Sequence, residues 1–244
     1  NTAGKTNVLE AIFLLSIGKS FRAERDLEMI KFNEEISRVY GTTVNEDSNS
    51  DVKLEIMLTN GIVAKTAAPK KKYLVNGVPK KQIDFAGLLR AVLFAPTDLD
   101  LVTDSPSLRR KYLDFVLLQI DRDYRRALLS YEKGLRQRNR LLERIRDEGV
   151  PRTQLSFWDD LLIKNGQYIG QKRQEYIGYI NYNLEIAEAL KKDGKDSLKL
   201  QIVYNHSEIS KDRLKQYERE EVASTTTLVG PHRDDWMINK YQSS

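Results

Sequence analysis

The sequence has no cysteine and only two histidines, and both shortages exclude kinds of chemistry. Without cysteine the chain has no disulfide framework and no thiolate metal site. The histidines, His206 and His232, stand 26 positions apart, which argues against a histidine metal site. No apolar run approaches the roughly 18 residues of a membrane span, so we expect a cytoplasmic protein without membrane contact. The 244 residues are 40% hydrophobic, enough for a sizeable core in one or two domains.

The first six residues match the end of a phosphate-binding loop, whose full pattern is G-x-x-x-x-G-K-S/T. The candidate loop consists of Asn1, Thr2, Ala3, Gly4, Lys5 and Thr6. Gly4 lets backbone amides close around phosphate oxygens, and Lys5 would reach the β- and γ-phosphates of a nucleoside triphosphate. Thr6 would place its hydroxyl on a magnesium ion. Because the opening glycine of the pattern would precede the first residue, we expect the chain to be a piece of a longer protein.

An apolar segment over residues 7–15 follows the loop and predicts a helix. We expect its buried face at Val8, Ile12 and Leu15, its end at Gly18, and its positive dipole end toward the phosphates. The alternative is that Gly-Lys-Thr is a chance tripeptide before a surface helix. The apolar helix directly behind the tripeptide favours the phosphate loop.

The positive charge of the chain is concentrated in one segment. The formal net charge is +5, and residues 109–152 alone hold 13 lysines and arginines against 7 acidic residues. Apolar residues in this segment recur at spacings of mostly three and four, which predicts a long amphipathic helix. Such a helix could offer arginines to a phosphate backbone, or its charged face could be a solvated surface that keeps a helical arm soluble. Charge alone favours the solvated face.

Alternating apolar residues predict β-structure over residues 38–58 and 198–204. The dipeptides Asn60-Gly61 and Asn76-Gly77 predict hairpin turns. A short apolar run at residues 91–94 is typical of a buried strand.

The chain between these strand regions is predicted to be helical from residue 107 to about 189. Breaks are expected at residues 149–151 and at Gly166. A further helix is expected at 208–221, and β-branched residues favour a strand at 225–229.

Five blocks of the sequence, in order, resemble the RecF family of bacterial recombination-mediator ATPases. The blocks are GKTNVLEA with GKSFR (residues 4–11 and 18–22), LFAPTDLDLV (93–102), SPSLRRKYLD (105–114), RQRNRLL (136–142) and TLVGPHRDD (227–235). They span the whole chain, and the last is the most specific.

The resemblance implies an α/β fold, an ABC-type, SMC-like P-loop head with an inserted helical arm. Together with the strand and helix patterns it divides the chain into head residues 1–106, an arm at 107–190 and a return to the head at 191–244. It implies an ATP-driven homodimer, with ATP and Mg²⁺ as cofactors. This dimer would bind DNA at single-strand/double-strand junctions, work with other recombination mediator proteins and help load the strand-exchange recombinase.

The resemblance also carries residue roles onto this sequence. Lys5 and Thr6 become phosphate and magnesium contacts, and Arg22 falls where related heads place a basic loop near the nucleotide. The DNA-binding candidates are Arg109, Arg110, Arg136, Arg138 and Arg140. For His232, within the Gly-Pro-His-Arg-Asp-Asp block, a structural turn is the expected role.

The sequence also departs from the family pattern. Family members continue past the last block into a signature segment and an acidic Walker B strand, which the 244 residues do not contain. The acid that holds magnesium and the acid that orients water are therefore absent from this sequence. We expect the parent protein to be a weak DNA-dependent ATPase and the chain by itself not to hydrolyse ATP.

Two other functions remain open at this point. The chain could be an unrelated P-loop kinase or NTPase whose basic helix is a solvated face. It could instead be a structural arm protein that binds a partner through residues 113–142. A signature segment and a Walker B motif in the flanking gene sequence would favour the DNA-repair ATPase.

Overall fold

The computed structural model describes residues 4–45, 50–94, 100–103, 105–189 and 198–242. In this part of the chain no helix is both long and apolar enough to cross a membrane.

The chain forms two compact units. Unit 1 consists of Asn1–Ala95 with Leu118–Arg122, and unit 2 of Pro96–Leu117 with Asp123–Ser244. The division into head, arm and returning head remains a prediction.

Unit 1 is an antiparallel sheet packed against one helix. Its elements are α1 (Lys5–Ile17), β1 (Ile36–Asn45), β2 (Ser50–Thr59), β3 (Ile62–Val63), β4 (Thr66–Ala67), β5 (Lys71–Val75), β6 (Val78–Lys80) and α2 (Gln82–Phe85). The main sheet has the order β1-β2-β5-β6, and β3 pairs with β4. Leu54, Ile56 and Leu58 of β2 are at most 1% exposed and pack on Leu14 and Leu15 of α1. The alternation predicted for this strand region is confirmed.

Helix α1 ends at Gly18 as predicted, because Gly18 adopts a φ of 77° and donates its N–H to Leu14 O at 2.7 Å. The predicted buried face is right for Leu15 and wrong for Val8 and Ile12, which are 60% and 43% exposed. The sheet packs against the last turns of α1, whereas its first turn is exposed.

The two predicted hairpin turns have different outcomes. Asn76 and Gly77, with φ of 51° and 78°, join the paired residues at the ends of β5 and β6, so this turn is confirmed. At Asn60-Gly61 the prediction is wrong, because the turn that joins the paired strands β3 and β4 lies at Ala64 and Lys65. The side chain of Asn60 instead accepts the N–H of Ile62 at 2.9 Å, a local bond that replaces strand pairing.

The buried strand predicted at residues 91–94 is absent. These residues are irregular, and Val92 and Phe94 are 98% and 79% exposed. In the described residues the run has no strand to pair with, so its apolar composition alone does not produce a strand.

Unit 2 is mainly helical. Its elements are α3 (Asp100–Thr103), α4 (Pro106–Ile120, whose last three residues belong to unit 1), α5 (Arg122–Glu148), α6 (Ser156–Ala189), β7 (Leu198–Asn205), α7 (Lys211–Gln216), α8 (Glu218–Ser224) and β8 (Asp235–Gln242). The predicted helical block is confirmed, as is its break, where Gly149 has a φ of 71°. The predicted helix at 208–221 forms as the two short helices α7 and α8.

Strand β7 confirms the strand predicted at residues 198–204, and it pairs antiparallel with β8. The strand predicted at 225–229 is absent. Thr227 donates both its N–H and its hydroxyl to Asn139 Oδ1 of α5, at 3.0 and 2.7 Å. A side chain thus satisfies the backbone amide that a sheet would otherwise pair.

The break predicted at Gly166 is wrong, because α6 continues through this residue. Gly166 serves close packing instead. A methyl group there would lie 2.8 Å from Ile209, 3.0 Å from Tyr131 and 3.1 Å from Pro231.

Replacing Gly166 with alanine should destabilise the protein by about 1–3 kcal/mol, because the added methyl group overpacks the core. Gly178 of the same helix is the matched control, since a methyl group there meets nothing within 4 Å. Gly178→Ala should stabilise by up to about 1 kcal/mol through helix propensity. Denaturant unfolding of both variants measures the difference, and equal changes would contradict this account of Gly166.

Candidate nucleotide and nucleic-acid sites

The N-terminus of α1 has backbone donors without an acceptor among the described residues. Gly4 caps the helix in the left-handed region, with a φ of 69°, and its carbonyl accepts the N–H groups of Asn7 and Val8 at 3.0 and 3.2 Å. The amides of Lys5 and Thr6 fall in the first turn, where N–H groups have no acceptor within the helix. The first turn carries no acidic side chain. This end of α1 therefore favours an anion.

The described part of the phosphate loop fits a nucleotide phosphate with magnesium. Lys5 and Thr6 are both exposed, and the space in front of the Gly4 Cα is open to 4 Å. An ammonium, a hydroxyl and free backbone amides are the donor set that a phosphate and its magnesium ion require. Asn1, Thr2 and Ala3 lie outside the described residues.

Arg22 is attached to the same helix. Its guanidinium donates to Asn7 Oδ1 at 3.2 Å and to Glu10 Oε2 at 3.3 Å, and half of its side chain is exposed. Ser20 bonds to Glu10 and accepts the N–H of Arg22 at 2.9 Å. The loop that carries Arg22 is thus held against the first turns of the helix that begins at Lys5.

The exposed cations of helix α5 are of two kinds, those without an ion pair in the described residues and those paired with a nearby acid. Lys133, Arg136 and Arg140 are exposed and have no ion pair among the described residues. Their spacings of three and seven place them on one face, over a rise of roughly 10 Å. We call these three residues the unpaired stripe. Other exposed arginines of α5 pair with nearby acids: Arg126 with Asp123, Arg144 with Glu148 and Arg146 with Asp147.

Arg138 does not belong to this surface. Its side chain is 1% exposed, and its guanidinium donates to Asp159 at 2.7 Å and to Thr227 Oγ1 at 2.9 Å. A third contact, at 2.7 Å, pairs Arg138 with the fully buried Glu221. Burial raises the pKa of Glu221, and the charge of Arg138 opposes this rise. The prediction that Arg138 contacts DNA is therefore wrong for this structure, because every face of the guanidinium is turned to a partner inside unit 2.

Arg109 and Arg110 hold the Asp-Asp end of the last sequence block. Arg109 donates to both carboxylate oxygens of Asp235, at 2.6 and 3.1 Å, and lowers the pKa of that carboxyl. Arg110 donates to the carbonyl of Asp234 at 2.8 Å, and burial lowers the pKa of its guanidinium. Both arginines have structural partners, and their contact with DNA remains a prediction.

His232 lies in a short 3-10 turn, Pro231–Arg233, which confirms the structural turn expected for this block. Its Nε2 is 2.9 Å from the carbonyl oxygen of Thr227, so Nε2 carries the proton. Its Nδ1 then accepts the hydroxyl of Tyr131 at 2.8 Å. Burial lowers the pKa of His232 to about 4, and the ring is neutral at physiological pH. A neutral ring locked between two partners is a packing element.

A buried ionic cluster around Arg173 escaped the sequence analysis. Arg173 is 2% exposed and donates to Asp114 at 2.7 Å and to the fully buried Asp234 at 2.9 Å. Tyr124 donates its hydroxyl to Asp114, and Tyr204 donates to Asp234. Both aspartates stand in blocks that carry the family resemblance, but no spacing in the sequence links them to Arg173.

No family model matches the chain. Curated relatives do match it: the DNA replication and repair protein RecF of Shouchella clausii (strain KSM-K16) is 35% identical over 249 residues, covering 96% of this chain and 64% of the relative. The RecF protein of Thermoanaerobacter sp. (strain X514) is 35% identical over 259 residues, covering 100% of this chain and 68% of the relative. The chain thus spans about two thirds of the length of these relatives.

Solved structures match as well. The structure of the recombination mediator protein RecF-ATPrS in the RecFOR pathway has a TM-score of 0.85 and 31% identity, covering 100% of this chain and 67% of that one. The RecF-ATP structure has the same TM-score and 32% identity. The predicted α/β fold class is confirmed by these RecF matches. The division into a head and an inserted helical arm stays a prediction.

Replacing Arg138 with glutamine should destabilise the protein by roughly 3–5 kcal/mol, because it leaves Glu221 buried without its cation. The matched control is Arg136→Gln on the same helix, which should change stability by less than about 0.5 kcal/mol. Adding Glu221→Gln to Arg138→Gln should recover part of the loss. Urea unfolding measures all three variants. A mild effect of Arg138→Gln would show that the contacts of Arg138 with Asp159 and Glu221 do not stabilise the fold.

Proposed function

Because the chain belongs to the RecF family of DNA replication and repair proteins, we propose that the full-length protein binds ATP and DNA in recombinational DNA repair and replication restart. It acts at single-strand/double-strand junctions, as an ATP-dependent homodimer, and helps load the recombinase together with other recombination mediator proteins. The unpaired stripe on α5 is the observation that carries the DNA-binding part of this proposal.

The nucleotide site of the proposal is the N-terminus of α1. Lys5 contacts the β- and γ-phosphates, Thr6 ligates Mg²⁺, and the first-turn amides bind the phosphate oxygens. Asn1, Thr2, Ala3 and Gly4 complete the loop. When bound, magnesium neutralises part of the triphosphate charge. Arg22, which is bonded to the same helix, adds a cation on the nucleotide side.

The DNA site of the proposal is the exposed face of α5. Phosphate contacts need cations that are free of internal partners, and Lys133, Arg136 and Arg140 meet this condition among the described residues. The paired arginines of α5 would first have to give up a carboxylate. The stripe contacts backbone phosphates, so it binds all sequences alike.

Replacing Lys5 with alanine should weaken ATP binding by the full-length protein roughly ten- to hundredfold, because a charge-assisted hydrogen bond contributes about 1.5–3 kcal/mol. ATP hydrolysis should be lost. Lys31→Ala, at an exposed lysine elsewhere in unit 1, is the matched control and should bind ATP as the wild type does. Equilibrium binding of a fluorescent ATP analogue measures the effect. Unchanged affinity and turnover in Lys5→Ala would remove Lys5 from the nucleotide site.

Reversing Arg136 and Arg140 to glutamate should weaken DNA binding for every sequence and reduce the salt slope. If each cation of the stripe neutralises one phosphate, the stripe contributes about 2.7 to the slope of log K against log salt, and the double variant should lower the slope by about 2 units. The measurement is a salt titration on a duplex with a single-stranded gap.

The control for this experiment is Lys164→Glu with Arg219→Glu, two exposed cations of unit 2 outside α5. It makes the same change in net charge and should leave the slope as it is. If both double variants behaved alike, only overall charge would matter. If the α5 variant bound like the wild type, α5 would be a solvated arm and DNA would meet another surface.

A further inference from the structure

The main sheet of unit 1 has one buried and one solvent-facing side. Leu54 and Ile56 of β2 are buried against α1, and Tyr73 of β5 lies opposite Ile56 on the same side. Because side chains alternate along a strand, Lys53 of β2 and Lys72 of β5 point to the other side. We call this solvent-facing side the outer face of the sheet.

Cations without internal partners collect on this outer face. Lys53 and Lys72 have no ion pair among the described residues. Two exposed lysines flank them, Lys70 before β5 and Lys81 after β6, and these also lack an ion pair within the described part of the chain. In the same unit Lys71, which points to the buried side, is paired with Asp26 at 2.6 Å. Lys80 of β6, opposite Tyr73, is an exposed cation on the other side that also has no ion pair within the described residues, so the outer face holds more of the unpaired cations but not all of them.

Two acids of β2, Asp51 and Glu55, also lie on the outer face, and they offset only part of the positive charge of Arg38, Lys53 and Lys72. Arg38 of β1 lies opposite Met57, which in turn lies opposite Lys72, so one row across three strands has a cation at each end. Glu55 is 3.7 Å from Arg38 and neutralises it in part. Lys53 lies 5.5 Å from the ring centroid of Tyr40, a cation–π contact that holds the ammonium in place while leaving its charge intact.

The spacing of these cations suits an extended polyanion. Arg38 and Lys72 are two strand spacings apart, roughly 10 Å, and Lys53 lies about 13 Å along β2 from the row that contains Lys72. Charged residues flank Met57 on this face, whereas the core of a protein–protein interface is depleted of charged residues. A nucleic-acid backbone, with its regular phosphates, fits this distribution better than an acidic protein does.

We propose that the outer face of the sheet, with Lys53 and Lys72 at its centre, is a second contact surface for the phosphodiester backbone of DNA. This inference rests on the proposed function, since it adds a surface in unit 1 to the stripe in unit 2. DNA phosphates supply the negative charge that Lys53 and Lys72 do not find among the described residues. The contact carries no base information.

The test is a salt titration of DNA binding by the full-length protein and its Lys53→Gln/Lys72→Gln variant. Both substitutions are on a solvent-facing side, so the fold should be retained, and unchanged ATP binding checks this. We expect the slope of log K against log salt to fall by about 2 units, equally for unrelated sequences. Arg25→Gln/Lys31→Gln is the matched control, with two exposed cations of unit 1 outside the sheet, and should keep the wild-type slope.

The outcomes separate this inference from the proposed function. If the α5 variant loses affinity and the sheet variant does not, the sheet surface is disproved and the proposed function stands. If neither variant loses affinity, both the stripe on α5 and the sheet surface are disproved, and DNA meets another part of the protein. If poly-glutamate displaces DNA from the wild type at equal charge concentration, and its binding also depends on Lys53 and Lys72, the face is a site for acidic polypeptides and the inference is overturned. Loss in the sheet variant alone, or added losses in a combined variant, supports it.

Discussion

The pairing of the buried Arg173 with two carboxylates is the interaction on which the rest of unit 2 depends. An arginine keeps its charge at any pH a protein meets, so a buried one needs carboxylates inside the fold. Arg173 finds Asp114 on α4 and Asp234 in the loop before β8, at 2.7 and 2.9 Å. Two segments far apart in sequence are thereby fixed to α6. The tyrosines that bond to the same aspartates extend this constraint to α5 and β7.

The same physical rule separates structural from functional arginines. Arg138 and Arg173 are buried, and their charges are paired with carboxylates inside the fold. Within the described residues, Arg136 and Arg140 have no carboxylate partner and lie exposed on the same helical unit. An arginine-rich sequence therefore does not by itself locate a charged surface, because the fold decides which arginines are buried with partners. Arg136 and Arg138 differ in this way although they stand two residues apart.

Local patterns in the sequence predicted local structure well. The alternation in β2, the Asn76-Gly77 turn and the helical spacing of α5 each depend on near neighbours, and each was predicted correctly. The errors came at residues whose structure is decided by contacts with residues distant in sequence. Gly166 reads as a helix break, but its small size lets α6 approach three other segments. Arg138 reads as a surface cation, but Glu221, 83 positions later, buries it. The phosphate loop stays a prediction, and it could be made from the sequence because its residues are contiguous.

The pairing of Arg109 with Asp235 also has a consequence for how the chain folds. The two residues are 126 positions apart, and the indole of Trp236 donates to the carbonyl of Arg109 beside them. Contacts of such long sequence separation close late, since the loop between them must first be ordered. On a ribosome that adds about 5–20 residues per second, Arg109 waits roughly 6 to 25 seconds for its partner to be synthesised. During that interval its helix lacks both the Asp235 carboxylate and the Trp236 indole that contact it in the folded unit.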